Sequence, residues 1–249
     1  MTSLIIALLG DVHANLPALE AVLAHAQAQG AAQIWNIGDF VGYGAFPNEV
    51  VQRLRQAAEL NILGNYDLKA LHFPEKEKRW RKNKRPEKYL AFRWAHQELS
   101  KENRRYLLSL PEEIRLEVAG QRILLTHASP ASSEEHLYPE TPQEHLVELA
   151  EQAQADIIIF GHSHRHFART AAGTLFINTG SVGRPDDGDP RACYALLEIS
   201  EASLQVHHVR LEYDIARAVA EIRRRGLPEA FAQMILQGRD MDNIVMNSS

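Results

Sequence analysis

The chain has 249 residues, 45% of them hydrophobic, with a net charge of −5 and a single cysteine, Cys193. That length and apolar content suit one domain with a real core, and the acidic balance argues against wholesale coating of nucleic acid. One cysteine excludes an intramolecular disulfide framework and suits a reducing cytoplasm. No apolar run nears the roughly 20 residues of a membrane span.

Leu4–Leu9 reads as a buried first strand, too short and with no basic residue before it to be a secretory core. It runs into Gly10-Asp11-Val12-His13. A helix starts at Asn15 or Leu16, with Pro17 in its first turn, and Gly30 closes it. A second strand, residues 33–37, runs into Gly38-Asp39. After a loop at 40–47 and a short helix at 48–58, a third strand over 60–63 runs into Gly64-Asn65. This alternation predicts βαβ units and a largely parallel sheet. From Leu68 to Leu110 there is only charge and helical spacing, which predicts an all-helical insertion ended by Pro111. Between Glu75 and Lys88 it carries eight lysines and arginines against three glutamates. Trp80, Tyr89 and Trp94 are interleaved. The segment is either a solvated helix face on a cap or a lid that reaches an anionic substrate and stacks on a base.

Strands resume at 114–118 and 122–125, joined by the turn Ala119-Gly120, and the second runs into Thr126-His127. A Ser/Pro/Glu-rich loop leads to a helix at 143–154. A strand over 156–160 then runs into Gly161-His162-Ser163-His164. Further strands are expected at 167–170, 175–178, 192–199 and 204–210. Two amphipathic helices follow at 214–225 and 228–236, and a frayed tail after Gly238.

Five strands thus end in a metal-ligand side chain, supplying two Asp, one Asn and four His. Any one of these residues has a bland explanation as a helix cap or a satisfied core histidine. The set describes a site at the carboxyl edge of a sheet, where open α/β sheets hold ligands, with the carboxylate, amide and imidazole donors that a pair of divalent transition metals takes. Glycine precedes the ligand in four places, which lets the chain turn sharply and a bound anion come close.

In this order the five blocks, Gly10-Asp11-Val12-His13, Gly38-Asp39, Gly64-Asn65-Tyr66-Asp67, Thr126-His127 and Gly161-His162-Ser163-His164, resemble the calcineurin-like metallophosphoesterase superfamily, in its bacterial phosphodiesterase and diadenosine tetraphosphatase-like branch. The glycine-rich segment from Asn178 to Pro185 is similar as well. The resemblance implies an α/β fold, a four-layer αββα sandwich of two mixed β-sheets. That makes residues 1–249 one domain, with the helical insertion at about 68–110 as a cap. It also implies one metal on Asp11, His13, Asp39 and His164, and a second on Asp39, Asn65, His127 and His162, with Asp39 bridging. Two dications less two carboxylates and a bridging hydroxide leave about one positive charge for a phosphate; an aspartate in place of Asn65 would cancel it. The donors favour Mn²⁺ first, with Fe, Zn or Co as the other candidates. A metal-bridging hydroxide would attack the phosphorus of a phosphodiester or phosphoanhydride.

The third block departs from the family. Tyr66 stands where a histidine is usual, and that histidine is assigned to transition-state stabilisation and leaving-group protonation, oriented by the following aspartate, here Asp67. A phenol with a pKa near 10 hydrogen-bonds a phosphoryl oxygen but protonates a leaving group poorly. This directs the reading toward a nucleotide-type substrate such as a dinucleoside polyphosphate, whose leaving group needs less acid assistance. Asp39, Asn65, Tyr66 and Asp67 are the candidate catalytic residues. Arg184, and after it Arg165 and Arg191, are candidates to hold distal phosphates, with structural pairs to the acidic cluster at 186–189 as the alternative. Competing readings are a phosphomonoester or phosphoprotein phosphatase, a nuclease, and a non-catalytic metal-binding scaffold, although all seven ligand positions are filled. A membrane partner is not expected.

Overall fold

In the computed structural model, described for residues 3–244, the strands form two five-stranded mixed sheets. The first gathers β1 (Leu4–Leu9), β2 (Gln33–Asn36) and β3 (Leu60–Asn61). Between these lie α1 (Leu16–Ala28) and α2 (Pro47–Ala57). Four helices follow: α3 (Asn65–Leu71), α4 (Phe73–Asn83), α5 (Pro86–Glu98) and α6 (Lys101–Leu108). The second sheet takes β4 (Glu113–Val118), β5 (Gln121–Thr126), β6 (Ile157–Phe160), β7 (Phe167–Ala171) and β8 (Thr174–Asn178), with α7 (Gln143–Ala153) before β6. The chain then returns to the first sheet with β9 (Ala192–Ile199) and β10 (Leu204–Leu211), and ends in α8 (Ile215–Arg224) and α9 (Glu229–Gln237). Strand orders are β10-β9-β1-β2-β3 and β4-β5-β6-β8-β7.

The side-chain period of two explains the layering. In β1, Ile6 and Leu8 face the second sheet and meet Ile123, Leu125, Ile157 and Ile159. Ala7 and Leu9 face the other way, onto Val22 and Val51. The second sheet likewise turns Leu124, Ile158 and Phe160 outward to Leu146 and Leu149 of α7. With both faces covered, β1 and β6 read as continuous apolar runs, the composition expected of parallel strands. β1, β2 and β3 are mutually parallel, as are β5 and β6. The polar ends of these five strands therefore emerge on one rim of the sandwich.

Local signals account for several boundaries. The Asn15 side chain accepts the Ala18 N–H and caps α1, with Pro17 in the first turn. Ala119 and Gly120 both have positive φ, 51° and 76°, as a two-residue hairpin of this hand requires. β2 and β3 are shorter than expected, because Ile37 and Ile62 leave the ladder to carry the chain over the rim. Ile37 still donates its N–H to Leu9.

Two expectations are corrected. Trp80 and Tyr89 do not offer stacking faces to a base. Trp80 packs with Phe73 and Phe92 in the small core beneath α4 and α5, and Tyr89 lies against Phe73. A four-helix segment with no strand must bury its aromatics in itself. The segment after Gly238 is not frayed through residue 244. Arg239 bridges to Asp187, Met241 is buried beside Phe231, and Asp242 is ion-paired to Arg85 at the α4–α5 corner. Residues 245–249 of that expected tail lie outside the described residues. No helix among the described residues is long and apolar enough to cross a membrane.

Candidate metal centre

Each strand delivers its polar residue through a tight turn. Asp11, His13, Asp39, His162 and His164 all have φ between 48° and 64°, a left-handed conformation that non-glycine residues avoid. Backbone bonds across the rim hold them there. Asp11 N–H donates to Gly38, His13 N–H to Asp39 and Gly161 N–H to His127. The glycines answer to packing rather than to an anion. A Cβ on Gly64 would lie 2.2 Å from Asp39 Oδ1, and one on Gly161 would lie 2.3 Å from Asp11 Oδ2.

Five of the seven side chains converge with their ligand atoms close together. Asp11, His13 and His164 present ligand atoms all within 4.8 Å of one another, and so do Asp11, Asp39 and His127. Asp39 Oδ2 lies 3.6 Å from His13 Nε2 and 3.5 Å from His127 Nε2, between the two groups. Its other oxygen accepts the Tyr66 N–H at 2.7 Å. His164 Nε2 is 3.2 Å from Asp11 Oδ1.

Three of the imidazoles have their tautomer set by backbone. Nδ1 of His13, His127 and His164 sits 3.2, 2.9 and 2.6 Å from the carbonyls of Val41, Ile37 and Arg184. A carbonyl only accepts, so Nδ1 carries the proton and Nε2 turns its lone pair inward. His13 Nε2 and His164 Nε2 then face each other 3.1 Å apart. Two lone pairs in that position repel unless a metal ion or a shared proton lies between them. Asn65 is oriented in the same way. Its Nδ2 donates to Glu134 at 3.1 Å, which leaves Oδ1 directed at the centre.

The buried atoms without a partner make the same point. Asp11 Oδ1, Asn65 Oδ1, His127 Nε2 and His162 Nε2 find no hydrogen bond within the protein. Orphaned buried acceptors cost about 1–3 kcal/mol each, and four of them around one point fit a pair of divalent ions. The electrostatics agree. Burial raises the Asp39 carboxyl well above the ordinary range, and the charge of Asp11 adds to the effect. Burial acts on Asp11 in the same direction, but the imidazoles of His164, His127 and His13 reverse it and hold that carboxyl low. Burial, with His127 and His136 nearby, lowers His162 to about 2, so it is a neutral donor.

The centre floors a cavity of about 280 Å³, whose lining includes Asp39, Asn65, Tyr66, His162, His164 and Arg184. Arg184 is half-buried, 4.9 Å over the Tyr43 ring, with its Nε unpartnered. Tyr66 shares a 2.6 Å hydrogen bond with the Tyr43 hydroxyl. Burial, with the Tyr43 phenol next in weight, pushes the Tyr66 phenol well above 10. Asp67 does not line the cavity. It accepts the Gly64 and Val41 N–H groups and pins the turn beneath Tyr66. Arg165 also lies off this cavity, paired with Glu140 and lining an adjoining space of about 410 Å³. Arg191 is tied to Asp189, the structural alternative foreseen for it.

The strand-end pattern missed Tyr43, Glu134 and His136. His136 packs 4.1 Å from the His162 ring, and Glu134 and His136 belong to the loop before α7. The cue was present only as polar and aromatic residues inside otherwise structureless loops. The glycine-rich segment is a brace: Ser181 Oγ donates to the Asp11 carbonyl and accepts the Arg184 N–H, which aims Arg184 inward.

Comparison with known proteins agrees with this geometry. Residues 4–202 match the calcineurin-like phosphoesterase superfamily domain. An uncharacterized protein of Methanocaldococcus jannaschii is 34% identical over 256 aligned positions, covering 96% of this chain and 100% of that protein. The phosphodiesterase YfcE of Escherichia coli is 27% identical over 203 positions, covering 76% of this chain and 84% of its own. A metallophosphoesterase from Sphaerobacter thermophilus superposes with a TM-score of 0.78 at 29% identity, covering 95% of this chain and 100% of that one. For the fold alone, a hypothetical protein from Pyrococcus horikoshii gives 0.83 at 21% identity, over 96% and 99% of the two chains. The chain therefore belongs to the calcineurin-like phosphoesterase superfamily, a family of metal-dependent phosphoester hydrolases.

Proposed function

We propose that the chain is a two-metal phosphoesterase that hydrolyses a phosphodiester or phosphoanhydride of a nucleotide-type substrate. The observation that carries this is the group of buried acceptors, Asp11 Oδ1, Asn65 Oδ1, His127 Nε2 and His162 Nε2, left without protein donors around Asp39. On this reading Asp11, His13, Asp39 and His164 hold one ion, and Asp39, Asn65, His127 and His162 hold the other, with manganese the first choice. Bound divalent ions supply Lewis acidity and a water of lowered pKa.

The remaining work belongs to the protein. Arg184 is aimed into the cavity with a free Nε and is suited to clasp non-bridging phosphoryl oxygens in bidentate fashion. The Tyr43–Tyr66 hydroxyl pair orients one more donor toward the phosphate. Because burial holds the Tyr66 phenol well above 10, it hydrogen-bonds without giving up its proton. General-acid assistance is worth typically 10²–10⁴-fold for a poor leaving group. A site without it favours leaving groups that depart as stable anions, such as a nucleotide phosphate from an anhydride. Residues 68–110 act as a cap over this cavity, contributing Lys69, Lys84 and Lys88 to its lining. A lone, buried Cys193 suits a cytoplasmic setting.

The test is turnover with and without Mn²⁺ on a dinucleoside tetraphosphate and on an alkyl phosphate monoester. Manganese-dependent preference for the tetraphosphate is expected. Preference for the alkyl ester would move the reading to a phosphatase, and absence of metal-dependent turnover on either would move it to a scaffold.

A further inference from the structure

We propose that Lys84 and Lys88 form a second anion subsite, so that the cavity is built for a substrate with at least one phosphate beyond the one being hydrolysed. The proposal rests on the phosphoesterase reading above and concerns how that site chooses its substrate.

Three cap lysines line the cavity, and they are not equivalent. Lys69 of α3 is committed: its Nζ lies 2.8 Å from Glu134 and 5.3 Å over the Tyr66 ring. Arg85, between the other two in sequence, is paired with Glu87 and Asp242. Lys84, in the α4–α5 turn, and Lys88, in the first turn of α5, line the same cavity with no carboxylate partner among the described residues. Partial burial and then the charge of Lys69 push the Lys84 ammonium below its ordinary pKa; Glu134 pulls the other way, and Lys88 adds to the lowering. Glu134, the carboxylate on this wall, is already shared between Lys69 and Asn65, so the neighbouring cations outnumber their counter-ions and call for an anionic ligand.

The free carboxylates of the cavity lie elsewhere. Asp186 and Asp240 interact with each other, and Asp242 is neutralised by Arg85. A substrate whose scissile phosphate sits at the metal ligands and Arg184 therefore has one favourable direction for a further phosphate. That direction is toward the cap, away from Asp186 and Asp240. A compact, mobile ammonium suits a flexible polyphosphate tail better than a planar guanidinium would.

The test uses the double substitution Lys84→Gln with Lys88→Gln in the full chain; Lys84 is exposed and Lys88 half-buried, so the variant folds. With Mn²⁺ present, the ratio of kcat/KM on a dinucleoside tetraphosphate to that on bis(p-nitrophenyl) phosphate is expected to fall about tenfold or more, the effect of losing one or two charge-assisted contacts. An unchanged ratio overturns the subsite. Titration of metal-free protein with inorganic tripolyphosphate gives a readout independent of turnover. A roughly tenfold weaker Kd in the variant sustains the subsite, and an unaltered Kd overturns it. If the unmodified chain hydrolyses neither ester, the phosphoesterase reading fails, and the titration alone decides the subsite.

Discussion

Asp39 is the residue on which the centre turns. It bridges two groups of donors, accepts the Tyr66 N–H, and sits in a left-handed turn, a strain of order 1–3 kcal/mol of the kind that persists at functional sites. Without metal its carboxyl is held protonated by burial and by Asp11, so ionisation there is a cost that bound cations remove. Asp39→Asn is expected to abolish metal occupancy, read by elemental analysis, together with turnover. The same substitution should stabilise the metal-free protein at pH 8 by about 1 kcal/mol, roughly 2–4 °C in Tm for a chain of this size. Glu134 provides the second test at this scale. It holds the Asn65 amide so that oxygen, not nitrogen, faces the centre. Glu134→Ala should weaken Mn²⁺ binding by about 10–100-fold in calorimetry, with Glu134→Gln keeping part of the affinity. The proposed ligands were legible because each follows a buried apolar run, a context in which a polar residue stands out. Glu134 and His136 sit in a loop without periodicity, where no pattern separates a residue that orients Asn65 from solvent-facing polarity.

At the level of elements, what could be read depended on whether an element's partner is near in sequence. The βαβ alternation, the Ala119-Gly120 turn and the all-helical run before Pro111 are written in local signals, and the elements form where those signals lie. The docking of residues 239–244 is not local. Met241 is buried among residues of α8, α9 and the loop carrying Tyr43, and Asp242 reaches Arg85, 157 positions away. Short polar sequence near a terminus looks frayed until the groove that receives it is known. The two contacts should differ in weight. Arg85→Ala removes two exposed ion pairs, to Asp242 and to Glu87, each worth about 0–1 kcal/mol. Met241→Ala empties a buried site and should cost about 2 kcal/mol, the low end for such truncations, read as a lower urea midpoint at unchanged m value. Equal, negligible effects from both would mean that the segment does not dock in solution.

Across the whole molecule, the sandwich places its sheets so that polar strand ends meet on one rim, and the cost of that arrangement falls on buried histidines. His208 of β10 shows the effect away from the centre. Its Nε2 donates to the Asn178 carbonyl at 2.8 Å, which braces the strand leading into the glycine-rich segment. Burial lowers its pKa to about 4; the Asn178 carbonyl pulls the other way, and His166 and Arg210 add to the lowering. The folded value lies below the unfolded one, near 6.5, so the unfolded chain binds the extra proton first. The contribution of His208 is thus fully present above pH 6.5 and is lost as pH falls from 6.5 toward 4. With its partial exposure the loss is about 2 kcal/mol, and His13 and His162, both lowered by burial, act in the same direction. Urea unfolding of the metal-free protein should therefore show stability dropping through that window. His208→Gln keeps a donor for Asn178 but cannot titrate, and it should flatten the His208 share of the slope while leaving stability at pH 7.5 within about 1 kcal/mol. A slope identical in the variant would assign the acid sensitivity to the histidines of the proposed metal centre alone.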